Sequence, residues 1–144
     1  MKKEKLKFLK PKKGNSIGQW LIEQGISAGF PSPADDFKEI RISLDKELVK
    51  NTESTFYARV SGDSMKDAGL SNGDLIIIDR SLHPENNKIG VCFLDGEFTV
   101  KRIIIEQNNI YLKPENKNYK KIKVNKEDEF IIWGIVTYVI KTLS

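Results

Sequence analysis

Hydrophobic and polar positions along this chain come in short bursts rather than long stripes. Thr55-Phe56-Tyr57-Ala58-Arg59-Val60, Leu75-Ile76-Ile77-Ile78, Ile89 to Leu94 and Phe98 to Ile105 are rich in β-branched and aromatic residues. Glu39 to Leu44, Ile110-Tyr111-Leu112, Lys121 to Val124 and Phe130 to Ile140 have the same character. Runs of this length, broken by turn residues about every ten positions, predict the strands of a mainly β domain. Asp95-Gly96 sits between two of them and suits a two-residue hairpin, whose central positions both take a positive φ. Only Ile17 to Gln24, with Trp20-Leu21 at its centre, has spacing that fits one or two helical turns. The prolines of Phe30-Pro31-Ser32-Pro33-Ala34-Asp35-Asp36 force an extended or turn conformation there.

Composition narrows the classes of function. A chain of 144 residues suits one domain with a short appendage. With one Cys and one His it lacks the four Cys/His ligands of a structural zinc site, and no cofactor is expected. A single Cys also makes no internal disulfide, which predicts a reducing, cytoplasmic setting. The nearly apolar stretch Phe130 to Ile140 is about half the ~20 residues of a spanning helix. The lysine-rich N-terminus lacks the apolar centre of a signal peptide, so no membrane association is expected. A His-based nucleophile site would need His83, which lies in the turn-like segment Ser81-Leu82-His83-Pro84-Glu85.

Charge divides the chain. Residues 1–28 hold seven Lys and two Glu, a net of +5, whereas the remainder holds 17 basic and 18 acidic side chains. A basic arm therefore precedes a nearly neutral body. Clustered lysines attract polyanions such as nucleic acid, and they also suit a merely solvated tail. No helix-turn-helix fits within the arm.

Three segments could carry chemistry. Ser64, in Ser61-Gly62-Asp63-Ser64-Met65, follows a Gly-Asp turn at the end of an apolar run. Such a bend can present a nucleophile beside backbone N–H groups able to hold an oxyanion, although Ser and Gly also gather at strand ends for turn reasons. In Asp95-Gly96-Glu97-Phe98-Thr99-Val100-Lys101-Arg102-Ile103, alternation puts Thr99, Lys101 and Ile103 on one face. A lysine there either snorkels to solvent or, if desolvated, serves as a general base. Without a usable histidine, a Ser–Lys pair is the serine chemistry most readily available. The third segment, Ser27-Ala28-Gly29-Phe30, contains an unhindered Ala-Gly bond that by itself is an ordinary hinge.

In order and spacing, these segments resemble the UmuD branch of the LexA-type self-cleaving proteins. Gly29-Phe30-Pro31-Ser32-Pro33-Ala34 with Glu39-Ile40-Arg41-Ile42 is similar to that branch's cleavage region. Ser61 to Met65 with Gly73-Asp74-Leu75 is similar to its nucleophile segment, and Asp95 to Lys101 to its lysine strand. The likeness runs from about residue 27 to the C-terminus. Residues 1–26 are too short for the DNA-binding domain of a LexA-type repressor. The resemblance implies a LexA-like peptidase domain with a bent, largely antiparallel sheet over 29–144, preceded by a removable arm, 1–28. It implies Ser64 as nucleophile, Lys101 as general base, the backbone N–H groups of Asp63 and Ser64 as oxyanion donors, and Ala28–Gly29 as the scissile bond. Family members commonly have Cys where this chain has Ala28. The implied partners are a second copy in a homodimer, RecA on single-stranded DNA as co-protease, and a UmuC-like Y-family polymerase subunit. The trimmed dimer would then act in error-prone synthesis past DNA lesions.

For Lys101 to accept the Ser64 proton, its pKa must fall from about 10.4 to near 7, about 4–5 kcal/mol of differential desolvation. Stability should then rise with pH across that window, because the folded form binds fewer protons than the unfolded one. Asp63 is expected to shape the turn, Met65 and Leu75 to pack in the core, and Cys92 to be a small buried hydrophobe. The rival readings are a signal-peptidase-like enzyme acting on other chains, an inert interaction module, and a nucleic-acid binder led by the arm.

Overall fold

The computed structural model describes residues 8–11, 19–22, 28–29 and 39–143. Of the sequence expectations, the Pro31–Pro33 turn and most of the arm's lysines lie outside these residues. The chain divides into two units, Met1–Pro11 with Asn51–Ser144, and Lys12–Lys50.

The larger unit is built on an eight-stranded antiparallel sheet. Its strands are β1 (Phe8–Leu9), β4 (Thr55–Arg59), β5 (Leu75–Asp79), β6 (Ile89–Leu94), β7 (Glu97–Glu106), β8 (Asn109–Lys113), β9 (Ile122–Lys123) and β10 (Phe130–Ile140). Their spatial order is β1-β4-β5-β10-β6-β7-β8-β9. The β-rich runs of the sequence become these strands, and β6 and β10 have the bounds the pattern predicts. Asp95 and Gly96 take φ of 47° and 87°, the paired positive values that the β6–β7 hairpin requires. Gln107 and Asn108 (48° and 64°) do the same between β7 and β8, with no glycine to signal it.

The sheet is bent. Strand β4 stands four places from β7, about 19 Å apart in a flat sheet. Yet residues from both ends of that span share one cluster of buried side chains: Ala58 and Val60 with Ile76, Ile78, Val91 and Val100. Cys92, Ile103, Leu112 and Ile135 form a second cluster on the other face. The bend draws on β10, whose register shifts at Ile132/Gly134 and again at Val136/Tyr138. Gly134 is required at the first irregularity, since a Cβ there would lie 2.6 Å from Ile78 Cγ2.

The smaller unit holds β2 (Gln19–Ile22), antiparallel to β3 (Glu39–Ile42), followed by the five-residue helix α1 (Leu44–Leu48). The helical expectation for Ile17 to Gln24 is thus corrected. Gln19–Ile22 is a strand because Glu39–Ile42 offers it a ladder, and tertiary pairing outweighs four residues of ambiguous periodicity.

Candidate active site

Two backbone features present Ser64. Beyond β4, Val60 stays tied to the returning chain: its N–H donates to the Asp74 carbonyl at 2.9 Å and its carbonyl accepts from the Gly73 N–H at 2.8 Å. Gly62 then adopts φ 95°, a left-handed conformation that favours glycine, and its N–H donates to Asn72 Oδ1 at 3.0 Å. The chain turns inward and leaves Ser64 only 2% exposed, beside fully buried Met65.

Lys101 reaches the same point from the middle of β7. It does not snorkel, since it is 6% exposed. Its Nζ donates to Ser64 Oγ at 3.1 Å, Thr99 Oγ1 at 2.6 Å and the Val100 carbonyl at 3.1 Å. These three acceptors are neutral oxygens. A neutral amine also fits them. The carbonyl can only accept, whereas the Ser64 hydroxyl can donate to the lone pair of a neutral amine. Hydroxyl and amine are thus held within proton-transfer distance among buried neighbours.

The turn before Ser64 is braced from far along the chain, by residues that sequence reading missed. Asn116, 3% exposed, donates from Nδ2 to the Asp63 carbonyl at 2.9 Å. Tyr119 donates its hydroxyl to Asp63 Oδ1 at 2.7 Å, so that carboxylate serves the turn. The Glu115 N–H donates to Met65 Sδ at 3.3 Å, and the Asp67 N–H to the Glu115 carbonyl at 2.8 Å. Nothing local marks Asn116 or Tyr119, because their role depends on contacts more than fifty residues away in sequence. Thr99 was visible only as a face-mate of Lys101. A groove of about 480 Å³, lined by Asp67, Lys113, Glu115, Asn116 and Tyr119 among others, borders this brace rather than the Ser64–Lys101 pair.

On the opposite side of the loop, Asp74 bonds the Ser71 N–H at 2.8 Å and pairs with Lys141. Burial acts to raise the Asp74 pKa, but Lys141 and the Ser71 N–H outweigh it and hold the carboxyl below its usual range. The remaining sequence candidates are placed as follows. Ala28 and Gly29 are exposed, in the smaller unit. His83 is exposed between β5 and β6. Cys92 is fully buried, and burial pushes its thiol up to about 12. Among the described residues no cluster of His, Cys, Asp and Glu could hold a metal ion. Among them, too, no helix is long and apolar enough to cross a membrane.

Comparison with known proteins places this geometry in context. The chain is 38% identical over 116 residues to Protein MucA of Salmonella typhimurium, covering 80% of this chain and 79% of MucA. It is 35% identical over 130 residues to Protein ImpA of Escherichia coli, covering 90% and 88%. To the LexA repressor of Clostridium kluyveri it is 41% identical over 100 residues, 69% of this chain but 50% of the repressor. The model of the peptidase S24-like family matches residues 21–137, a span that contains Ala28, Gly29, Ser64 and Lys101. On that match and those relatives, the chain belongs to the peptidase S24-like family.

Proposed function

We propose that the protein is a serine peptidase that cuts its own chain between Ala28 and Gly29. The observation that carries this reading is the 3.1 Å approach of Lys101 Nζ to Ser64 Oγ, with both groups buried. Ser64 Oγ attacks the Ala28 carbonyl carbon while Lys101, as the neutral amine, takes the hydroxyl proton. The backbone N–H groups of Asp63 and Ser64 hold the oxyanion of the tetrahedral intermediate. On collapse, the C–N bond breaks and Lys101 returns the proton to the Gly29 nitrogen, which leaves as a new N-terminus. Water, deprotonated by Lys101, then hydrolyses the Ala28 ester and frees Ser64. Burial of Lys101 favours the uncharged amine this cycle needs, and Thr99 and the Val100 carbonyl fix its position.

The family and its relatives support the wider setting. In this reading a RecA filament on single-stranded DNA promotes the cut in the cytoplasm. The trimmed homodimer then serves a UmuC-like translesion polymerase in mutagenic DNA repair. Removing residues 1–28 takes away a net charge of +5, which weakens long-range attraction to nucleic acid.

The test is an incubation of the purified protein with RecA, single-stranded DNA and a nucleoside triphosphate, followed by intact mass. The expected product lacks residues 1–28 and is absent with Ser64→Ala. No product from the unaltered chain would favour an inert module, and a cut in an added protein alone would favour a peptidase of other chains.

A further inference from the structure

The first strand lies in the segment that the proposed cut removes, yet it belongs to the main sheet. Phe8 and Leu9 pair with Ala58 and Tyr57, so β1 covers the outer edge of β4. The Phe8 ring sits 5.0 Å from Phe98 and 4.6 Å from Trp133, centroid to centroid. Phe56 completes this aromatic nest, 4.9 Å from Trp133. Two positions on, and so on the same face of an extended chain, Lys10 Nζ lies 4.8 Å from the Phe56 ring centroid. That ammonium also donates to the Glu53 carbonyl at 3.0 Å. Leu9, between them, is 48% exposed.

We propose that the β4 edge and its aromatic nest form a strand-docking site for a partner polypeptide, occupied in the uncut chain by residues 8–10. The chemistry of the occupant defines that partner. It is an extended segment with an aromatic residue two positions before a Lys or Arg, the aromatic ring entering between Phe98 and Trp133. Two paired residues and one ring make a weak ligand, and the tether's high effective concentration holds it in place. Cutting at Ala28–Gly29 ends that tether, so this inference rests on the proposed function for the moment of release. What remains is the stretch of β4 edge that Phe8 and Leu9 covered, beside the half-buried rings of Phe56, Phe98 and Trp133, a template for β-augmentation. A second trimmed copy has lost the same segment and cannot supply it, which points to a different polypeptide.

Phe8→Asp in the full-length chain empties the nest without any cut, so docking can be measured whether or not self-cleavage occurs. The probe is a fluorescein-labelled peptide of residues 5–13, followed by anisotropy. It should bind the Phe8→Asp chain at least tenfold more tightly than the unaltered chain, and replacing the peptide's own Phe by Ala should abolish the difference. Phe8→Ala repeats the measurement without a new charge. Equal binding to both chains, or binding indifferent to the peptide's Phe, would overturn the proposal. So would a doubling of the variant's mass without peptide binding, which would assign the site to a second copy. A variant that docks the peptide while no form of the chain ever cuts itself would keep this site and remove the proposed function.

Discussion

Among the described residues Lys101 carries a demand that no other lysine shares, a buried amine on a strand with hydroxyl and carbonyl oxygens beside it. If it is the proton acceptor, Lys101→Met should lower self-cleavage by at least ~10² fold, the usual contribution of a positioned general base. Thermal unfolding near neutral pH should show the variant as stable as the parent or more so, because a desolvated amine is replaced by an apolar chain of similar length. A loss of several kcal/mol would mark a structural lysine instead. Cys92 provides a second check at this scale. Burial pushes its thiol to about 12. Between its ordinary value near 9 and about 12, the folded chain holds a proton that the unfolded chain gives up. This contribution to stability is therefore complete below pH 9 and fades as pH rises through the window. Native Cys92 should resist iodoacetamide at pH 8, while the urea-unfolded chain reacts readily. Equal rates would contradict its placement.

At the scale of elements, β10 shows how a strand bends without breaking. Gly134→Ala would press a methyl against the stiff β-branch of Ile78, at a cost of about 1–3 kcal/mol in the urea midpoint at pH 7. No loss there would mean the strand lies farther from β5. Asp79, at the end of β5, anchors the start of β4. Its carboxylate, 5% exposed, accepts from Ser54 Oγ, Ser81 Oγ, the Ser81 N–H and Asn51 Nδ2. Burial alone would raise its pKa, but these hydrogen bonds win and hold it below the ordinary 3.8. Its stabilisation is accordingly present above that value and lost as pH falls through the lowered one. Asp79→Asn should cost about 1–3 kcal/mol at pH 7 and narrow the stability gap between pH 7 and pH 3. An unchanged gap would place the acid sensitivity elsewhere. The strands legible in the sequence were those with several alternating residues and a turn to bound them, as with β6 and its Asp95-Gly96 hairpin. Strand β1 was hidden because two residues in a lysine-rich segment carry no period, and β2 was misread because its ladder partner lies beyond Pro31 and Pro33.

Across the whole molecule, the bent sheet brings the loop after β4 to β7, and no local pattern encodes that meeting. Sequence resemblance named Ser64 and Lys101, whereas the brace by Asn116 and Tyr119 and the seat of Phe8 emerge only from three-dimensional packing. The same bend explains how one chain can hold a dry amine beside a hydroxyl and keep part of its basic arm on the outer edge. The decisive measurement is an NMR titration of the Lys101 side chain, followed through its 13Cε shift in the folded full-length protein. An amine that gives up its proton well below the ordinary lysine range is the predicted result. A side chain still protonated up to about pH 10 would leave Ser64 without a base and contradict the proposed chemistry.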